Sequence, residues 1–468
     1  MSFTTSDFLI FFLLVWCMQR LLPHRPRNVF LLACSYFFYG CWDWRFLSLI
    51  VFSTVVDYVA SHRIAATEDT PTRRKWLIIS CVVNLGLLGF FKYANFGVTA
   101  ANQLLAQMGI DPALARLNIL LPVGISFYTF QTMSYTIDVY RRSLKPLDSF
   151  TDFALYVAFF PQLVAGPIER GTALAPQMTR KTLATWADIR FGVWLCLKGV
   201  FKKAVIADNM AVLVDGVFNS DELQSGTAIL LATYAFAFQI YGDFSGYSDI
   251  ARGTAKLMGY DLMVNFRLPY FAQSPSEFWQ RWHISLSSWL RDYLYIPLGG
   301  NRGGTLLTYR NLVLTMLLGG LWHGAAWTFI IWGAWHGVIL VIQRLTRFGE
   351  SRNDDSVVAI WTRRIVMFHL VCVGWLLFRA NSMSQVMLFT QSLLTNWTWN
   401  TELAQMTWQI AFLCGPLLVI QYAQETSKDL NYVLHLSLVP RTVVYATVLF
   451  LILTVGRFGG REFIYFQF

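Results

Sequence analysis

His323 lies in a segment whose residue types could support proton transfer. It belongs to the glycine-flanked run 319–324, inside a long apolar stretch. Glycines on both sides would let a neighbouring backbone or a substrate approach the ring closely. An ionisable side chain in an apolar segment is costly and marks a functional site by default. Because a histidine whose pKa lies near neutral can take a proton from an attacking hydroxyl group, we predict a catalytic role for His323.

A second histidine, His283, lies in a more polar segment with its own helix-start signal. Ser274–Glu277 reads SPSE, a capping box with proline at the first helical position, so a helix is predicted to begin there and to end near Tyr295. Such a helix is too polar to cross lipid and is predicted to lie in the interface or to line a cavity. One face would carry polar residues three or four positions apart, namely Gln280, His283, Ser287 and Arg291.

His336, which is flanked by Trp335 and Gly337, gives a weaker signal. It follows His323 by thirteen residues, which on a continuous helix is about 20 Å along the axis and roughly 140° around it. The two histidines would therefore not share a cavity wall unless the helix is broken. A structural role is the favoured interpretation for His336.

Two further motifs have both a structural and a functional interpretation. Asp243 and Asp249 lie beside hydroxyl side chains and could bind a cation, but their spacing matches no calcium loop, and helix-end capping is favoured. The glycine-rich run 297–304 could hold a phosphate with backbone N–H groups. No Lys-Ser/Thr pair follows this run, so a plain loop between helices is favoured.

Basic residues are concentrated around the His283 motif. Residues 251–310 contain seven lysines and arginines against three acids. Acyl transfer from a thioester mainly needs a base, a basic surface and a tunnel, because the thioester is already activated. Basic side chains at the cytoplasmic entrance would hold the phosphate of a pantetheine or nucleotide donor. Acyl transfer is therefore the chemistry that these residues favour.

The elements that position these residues have the composition of a membrane protein. Hydrophobic residues make up 55% of the 468 residues. Charged residues make up 14%, whereas a soluble domain has about 25% charged residues. This excludes a cytosolic enzyme, a disordered scaffold and a disulfide-rich secreted module, and predicts an all-α polytopic membrane protein. The net charge of +10 is interpreted as excess Lys and Arg in cytoplasmic loops, not as a nucleic-acid surface. The seven cysteines lie singly, so neither disulfides nor a metal site is predicted.

Apolar stretches alternate with short basic loops along the chain, which predicts one integral-membrane domain over residues 1–468, with a site-bearing core at about 115–340. About ten to twelve membrane segments are expected, the first a retained span and not a cleaved signal peptide. A break is expected at Gly40–Asp43, and Phe153–Ile168 is expected to be broken or re-entrant. Short segments at membrane depth need cover from protein or water, so an internal cavity is expected.

The histidine motifs resemble those of the membrane-bound O-acyltransferase (MBOAT) family. The resemblance rests on Arg281–Tyr293, which reads RWHISLSSWLRDY, and on Gly319–Gly324, which reads GGLWHG. Within the family, the chain is most similar to the membrane proteins of alginate and bacterial-cellulose O-acetylation. The similarity covers nearly the whole chain, including Leu121–Gln131, Gly166–Ile168, Asp243–Tyr247 and the ending Phe463–Phe468.

This resemblance implies the MBOAT fold, a ring of tilted helices with re-entrant segments around a central tunnel. It also implies that His323 is the catalytic base and that His283 is its polar companion. Arg281, Arg291 and Arg302 are expected to contact the phosphates of the donor, which would be acetyl-CoA or another acyl thioester. No permanently bound cofactor is expected.

The implied function is O-acetylation of an exopolysaccharide at the bacterial inner (cytoplasmic) membrane. The acetyl group would enter from a cytoplasmic thioester and leave towards a periplasmic partner acetyltransferase that works with the polymer-synthesis machinery. Membrane lipid is the other expected partner. Two alternatives stay open: D-alanyl transfer to teichoic acid, and a membrane transporter, since intramembrane histidines and broken helices also mark transport pathways. No inverted repeat is evident and the histidine motifs do not recur in the two halves, which argues against the transporter.

Overall fold

The computed structural model describes residues 1–111, 114–115, 117, 119–164, 166–181, 183–349, 356–458 and 463–464. Within these ranges the regular elements are helices and no strand is present, which confirms the predicted all-α fold. The last four residues of the predicted C-terminal motif, Tyr465–Phe468, lie outside the described residues. The α-helices are α1 Ser6–Leu21, α2 His24–Asp43, α3 Leu47–Ala65, α4 Thr70–Gln107, α5 Ile125–Tyr140, α6 Phe150–Ala158, α7 Phe160–Leu163, α8 Gly171–Met178, α9 Trp186–Val200, α10 Asp208–Phe218, α11 Gly226–Leu257, α12 Pro275–Arg281, α13 Ile284–Leu290, α14 Thr305–His323, α15 Trp327–Thr346, α16 Val357–Arg379, α17 Met383–Thr395, α18 Thr401–Ser427, α19 Tyr432–His435 and α20 Leu438–Val455.

Six helical stretches of the described chain are long and apolar enough to cross a membrane. This confirms a multi-pass membrane protein, because a span needs about 20 predominantly apolar residues. The expected ten to twelve segments also included shorter helices, such as α1, and more polar ones, such as α11. The six stretches are His24–Ala65, Thr70–Gln107, Trp327–Thr346, Val357–Arg379, Thr401–Ser427 and Leu438–Val455.

The two breaks predicted in the first half of the chain are present. Helix α2 ends at Asp43, whose carboxylate accepts a hydrogen bond from the backbone N–H of Arg45 at 3.0 Å, and a short 3₁₀ turn then leads into α3. Helix α6 ends at Ala158, and the four-residue α7 begins two residues later with Pro161 in its first turn. Proline fits a helix start because it has no N–H to leave unpaired there.

The chain divides into two compact units. The first consists of Met1–Gly192 with Thr254–Met263, and the second of Val193–Gly253 with Val264–Phe468. His283, His323 and His336 all belong to the second unit. A single integral-membrane domain over residues 1–468 stays a prediction.

Helices α3, α4 and α5 of the first unit are joined by a buried polar cluster around Asp57. Its carboxylate accepts hydrogen bonds from Ser80 Oγ, from Asn84 Nδ2 at 2.8 Å and from Thr136 Oγ1 at 3.1 Å. Asn84 in turn accepts a hydrogen bond from Ser53 Oγ at 2.7 Å. Polar side chains inside a membrane protein need such internal partners, because lipid offers none. The cluster therefore fixes how these three apolar helices pack.

In the second unit, α9 and α11 approach closely at glycines. A Cβ atom on Gly199 would lie 2.6 Å from the carbonyl oxygen of Gly246, and one on Gly242 would lie 2.9 Å from the carbonyl oxygen of Lys202. Glycines four residues apart are a common device for tight helix contact in membranes, because they let backbones touch. Helix α11 runs unbroken through residues 242–246.

The favoured helix-end capping role of Asp243 and Asp249 is wrong. Both lie in the interior of α11, so neither caps a helix end. Asp243 pairs with Lys203 at 2.7 Å and Asp249 with Lys202 at 2.7 Å. The cations that these carboxylates bind are lysine ammonium groups, because a buried carboxylate needs an opposite charge.

We predict that Asp57→Leu lowers the thermal stability of the detergent-solubilised protein. The substitution leaves buried donors on α4 and α5 without their acceptor, and each such donor costs about 1–3 kcal/mol. Melting followed by tryptophan fluorescence should show a midpoint several degrees below that of the native chain, with Asp57→Asn less affected because it keeps one acceptor oxygen. Phe52→Leu, at a half-exposed position on α3, is the matched control. Equal midpoints for Asp57→Leu and this control would contradict the assigned role of the cluster.

Candidate active site

The segment that carries His283 begins as predicted but is not one helix. Ser274 Oγ accepts a hydrogen bond from the Glu277 N–H at 3.2 Å, and Pro275 is the first residue of α12, which confirms the predicted start. The predicted continuous helix to Tyr295 is wrong, because α12 ends at Arg281 and His283 has a left-handed backbone with φ of 43°. A left-handed residue cannot continue a right-handed helix, so the predicted polar stripe does not form.

A single side chain, Asn265, holds this turn in place. Its Oδ1 accepts hydrogen bonds from the backbone N–H of Ser285 at 3.1 Å and from Ser285 Oγ at 3.0 Å, and it lies 3.3 Å from Nδ1 of His283. The backbone of Asn265 accepts a further bond from the Ile284 N–H at 2.9 Å. Sequence reasoning missed this residue, because an isolated asparagine in a loop has no distinctive spacing. Asn265 replaces the helical hydrogen bonds that the break removes.

These contacts also fix the protonation state of His283. The Ser285 N–H needs an acceptor, so the amide oxygen of Asn265 must face the turn, and Nδ1 of His283 must then carry the proton. The ring is fully buried and packs edge-on against Phe244, with centroids 4.6 Å apart. The segment lies outside the six spans, and burial lowers the pKa of His283 to about 3. The imidazole is therefore neutral near pH 7, because a protonated ring at this buried position would lack the solvation that stabilises its charge in water.

His323 is the last residue of α14, where a helical hairpin turns into α15. A Cβ atom on Gly320 would lie 2.2 Å from the carbonyl oxygen of Phe329, and one on Gly333 would lie 2.4 Å from that of Met316. The glycines around His323 therefore allow close backbone approach, as the sequence indicated. Gly324, in extended conformation, ends the helix directly after the histidine.

Aromatic rings surround His323 and connect it to His283. The His323 ring is 4% exposed and packs edge-on against Trp332, with centroids 5.0 Å apart, and against Phe378 at 5.4 Å. Trp322 lies 5.0 Å from His323 and 6.0 Å from His283, centroid to centroid. Both predicted site histidines therefore contact one indole, and the structure brings them into one cluster.

The hairpin also brings His336 to this cluster. On an unbroken helix, His323 and His336 could not have lined the same cavity wall. The helix is broken at Gly324–Ala326, so this exclusion does not apply. Trp332 therefore contacts both rings, at 5.0 Å from His323 and 4.8 Å from His336. His336 is fully buried, and neither ring nitrogen has a hydrogen-bond partner among the described residues. A structural role for His336 stays a prediction.

The three arginines predicted to contact the donor lie in different surroundings. Arg281 forms ion pairs with Glu277 at 2.6 Å and with Glu425 of α18 at 2.8 Å. Arg291 is exposed and pairs with Asp292 at 2.8 Å, and Arg302 is exposed in the loop between α13 and α14. A donor phosphate at Arg281 would have to compete with two carboxylates already in place. Donor contact by these arginines stays a prediction.

The cluster has the parts needed for proton transfer to or from a hydroxyl group. It places two imidazoles against one indole in a buried aromatic environment, where electrostatic interactions are stronger than in water. The neutral ring of His283 is fixed in orientation by Asn265, so it is suited to hydrogen bonding. His323 is the last residue of α14, and its role as the catalytic base stays a prediction.

Comparison with known proteins gives the family. The membrane-bound O-acyltransferase family matches residues 137–377, a range that contains His283, His323 and His336. A probable alginate O-acetylase of Azotobacter vinelandii is 46% identical over 82% of this chain and 76% of its own length. A peptidoglycan O-acetyltransferase of Helicobacter pylori is 36% identical over 82% of this chain and 76% of its own length. A teichoic acid D-alanyltransferase of Streptococcus thermophilus is 26% identical over 55% of this chain and 68% of its own length.

The family match covers both histidine motifs and the hairpin that carries His323 and His336. Family membership favours acyl transfer over the transporter alternative, because the relatives named here are transferases. The all-helical fold, the membrane-spanning helices and the matched residues agree in this assignment. The chain therefore belongs to the membrane-bound O-acyltransferase family and is an acyltransferase.

Proposed function

We propose that this acyltransferase transfers acetyl groups for the O-acetylation of an exopolysaccharide of the alginate or cellulose type at the bacterial inner membrane. The donor is a cytoplasmic acyl thioester, either acetyl-CoA or a related carrier. The acetyl group passes towards a periplasmic partner acetyltransferase that modifies the polymer. The similarity over 82% of the chain to a probable alginate O-acetylase carries this proposal.

In the proposed reaction, His323 acts as general base. Its imidazole takes the proton of the acceptor hydroxyl while the oxygen attacks the thioester carbonyl carbon. The C–S bond then breaks, and the departing thiolate takes the proton from the imidazolium of His323. No other covalent partner is needed, because the thioester is already activated. Burial among Trp332 and Phe378 supports this role, because it keeps water from competing with the acceptor.

His283 has a different task in this proposal. Its Nδ1–H is directed to Asn265, so its Nε2 lone pair can accept a hydrogen bond from a substrate group. Because burial lowers the pKa of His283 to about 3, it is a poor proton carrier near neutral pH. It therefore orients the substrate for His323. Asn265, which does not itself contact the reacting atoms, is a positioning residue.

D-alanyl transfer to teichoic acid is the alternative substrate chemistry. The relative of that name is less similar and matches a smaller part of the chain than the O-acetyltransferases do. Incubation of membranes with radiolabelled acetyl thioester and, separately, with a D-alanyl carrier thioester distinguishes the two. We predict transfer of acetyl only. Transfer of D-alanyl at the greater rate would contradict the proposed substrate.

We predict that His323→Ala abolishes polymer acetylation while membrane insertion and polymer synthesis continue. Loss of a general base lowers the reaction rate by a factor of about 10² to 10⁴, which places residual acetylation below a practical detection limit. The measurement is the acetyl content of isolated polymer, normalised to the amount of the protein in membranes. His435→Ala is the matched control, because its exposed ring pairs with Asp429 outside the cluster. Retained acetylation in His323→Ala would refute the assignment.

His336→Ala is expected to retain much of the acetyltransfer activity. In this proposal His336 packs against Trp332 and takes no part in the chemistry, so its loss should mainly loosen the packing around that indole. The same polymer assay should show a moderate decrease, accompanied by a lower melting midpoint. A complete loss of acetylation at an unchanged melting midpoint would instead assign His336 a direct role in the reaction.

A further inference from the structure

A cavity with charged side chains in its wall lies between α9 and α11 in the second unit. Its volume is about 90 Å³, several times the roughly 10–15 Å³ that one water molecule needs. The walls from α9 and its π-helical continuation carry Trp194, Lys198 and Lys202, which are spaced four residues apart and so share one helix face. Helix α11 contributes Ser248 and Asp249.

The charges that line this cavity are not balanced by one another. Nζ of Lys202 lies 2.7 Å and Nζ of Lys198 3.2 Å from the same carboxylate oxygen of Asp249. Arg252 also lines the cavity, with its guanidinium 3.8 Å from Asp249. Among the lining residues that the structure describes, Asp249 is the one carboxylate. Lys202 is buried and Lys198 is half-buried. Two such lysines that share a single carboxylate favour a further negative charge between them.

Three neutral groups in the walls also need an acceptor. Ser248 Oγ, Asn265 Nδ2 and Trp194 Nε1 are buried without a hydrogen-bond partner among the described residues. Each of these side chains is at most 3% exposed. All three can donate a hydrogen bond, and two of them can only donate. Buried polar groups in native proteins are nearly always paired, so a ligand rich in acceptor oxygens fits this set.

We propose that this cavity binds a phosphate group. A phosphate carries the negative charge that the two lysines favour and the several acceptor oxygens that the three donors need. The side chains of Lys198 and Arg252 each keep 15% exposure, which leaves a route into the cavity. The phosphate can belong to a pantetheine-linked donor, to a phospholipid headgroup or to free phosphate. Asn265 is the residue that also contacts His283, so the bound anion adjoins the candidate active site.

Lys198→Met is the most informative variant. It removes one positive charge but leaves the 2.7 Å pair between Lys202 and Asp249, so no carboxylate is left buried and unpaired. Ser248→Ala removes a hydroxyl that has no hydrogen-bond partner among the described residues, and it should not disturb folding. Lys256→Met is the control, because this lysine pairs with Asp188 and Asp261 and does not line the cavity.

Titration calorimetry of the purified full-length chain in detergent tests the proposal with four probes. These are inorganic phosphate, 4′-phosphopantetheine, a short-chain phosphatidylglycerol, and pantetheine, which lacks phosphate. We expect phosphate-bearing probes to bind the native chain and Lys256→Met equally. Their Kd should rise at least about tenfold in Lys198→Met and should also rise in Ser248→Ala, because a lost charge-assisted contact costs about 1.5–3 kcal/mol.

The relative affinities identify the source of the phosphate. Tightest binding of phosphopantetheine assigns the site to the donor, tightest binding of phosphatidylglycerol assigns it to lipid, and equal binding of all three assigns it to the phosphate group alone. Equal Kd values for Lys198→Met and the native chain, or pantetheine binding as tight as phosphopantetheine, would overturn the proposal. Binding is measured without acyl transfer, so this result is independent of the His323→Ala experiment.

Discussion

The close contact between α14 and α15 is the constraint on which the histidine cluster depends. A side chain on Gly320 or Gly333 would collide with the backbone of the opposite helix, so only glycine permits this hairpin. The hairpin reverses the chain directly after His323 and brings Trp332 against its ring. His336 packs against the same indole. Removing the contact would separate His323 from Trp332 and His336.

The second part of the cluster depends on a backbone that departs from helical geometry. His283 adopts a left-handed conformation, which is unfavourable for a residue with a Cβ atom. The cost is offset by hydrogen bonds to Asn265, which satisfy the groups that a continuous helix would have used. The break directs the imidazole into the aromatic interior instead of along the polar face of an interfacial helix. Strained backbone at a site of this kind commonly serves orientation.

Charge compensation in the interior depends on the close packing of α9 and α11. Because Gly199 and Gly246 let α9 and α11 touch, lysines of α9 and of its π-helical continuation reach a carboxylate of α11. The π-helical stretch after α9 turns Lys202 and Lys203 towards Asp249 and Asp243, respectively. Such stretches are often found at functional sites. The pairing near Asp243 is balanced by nearby acids, whereas the pairing near Asp249 leaves an excess of positive groups that line a cavity.

The sequence by itself determined the class, the membrane location and the two histidine motifs, because composition, capping signals such as Ser274 and local motifs depend only on neighbouring residues. It could not determine that His323 and His336 meet at one indole, because that contact requires a helix break whose position tertiary packing selects. The positioning role of Asn265 was equally invisible, since it acts across a distance of eighteen residues from His283. Spacing placed His283 on a regular helix, and only the competition between helical and tertiary hydrogen bonds decided that the helix ends there.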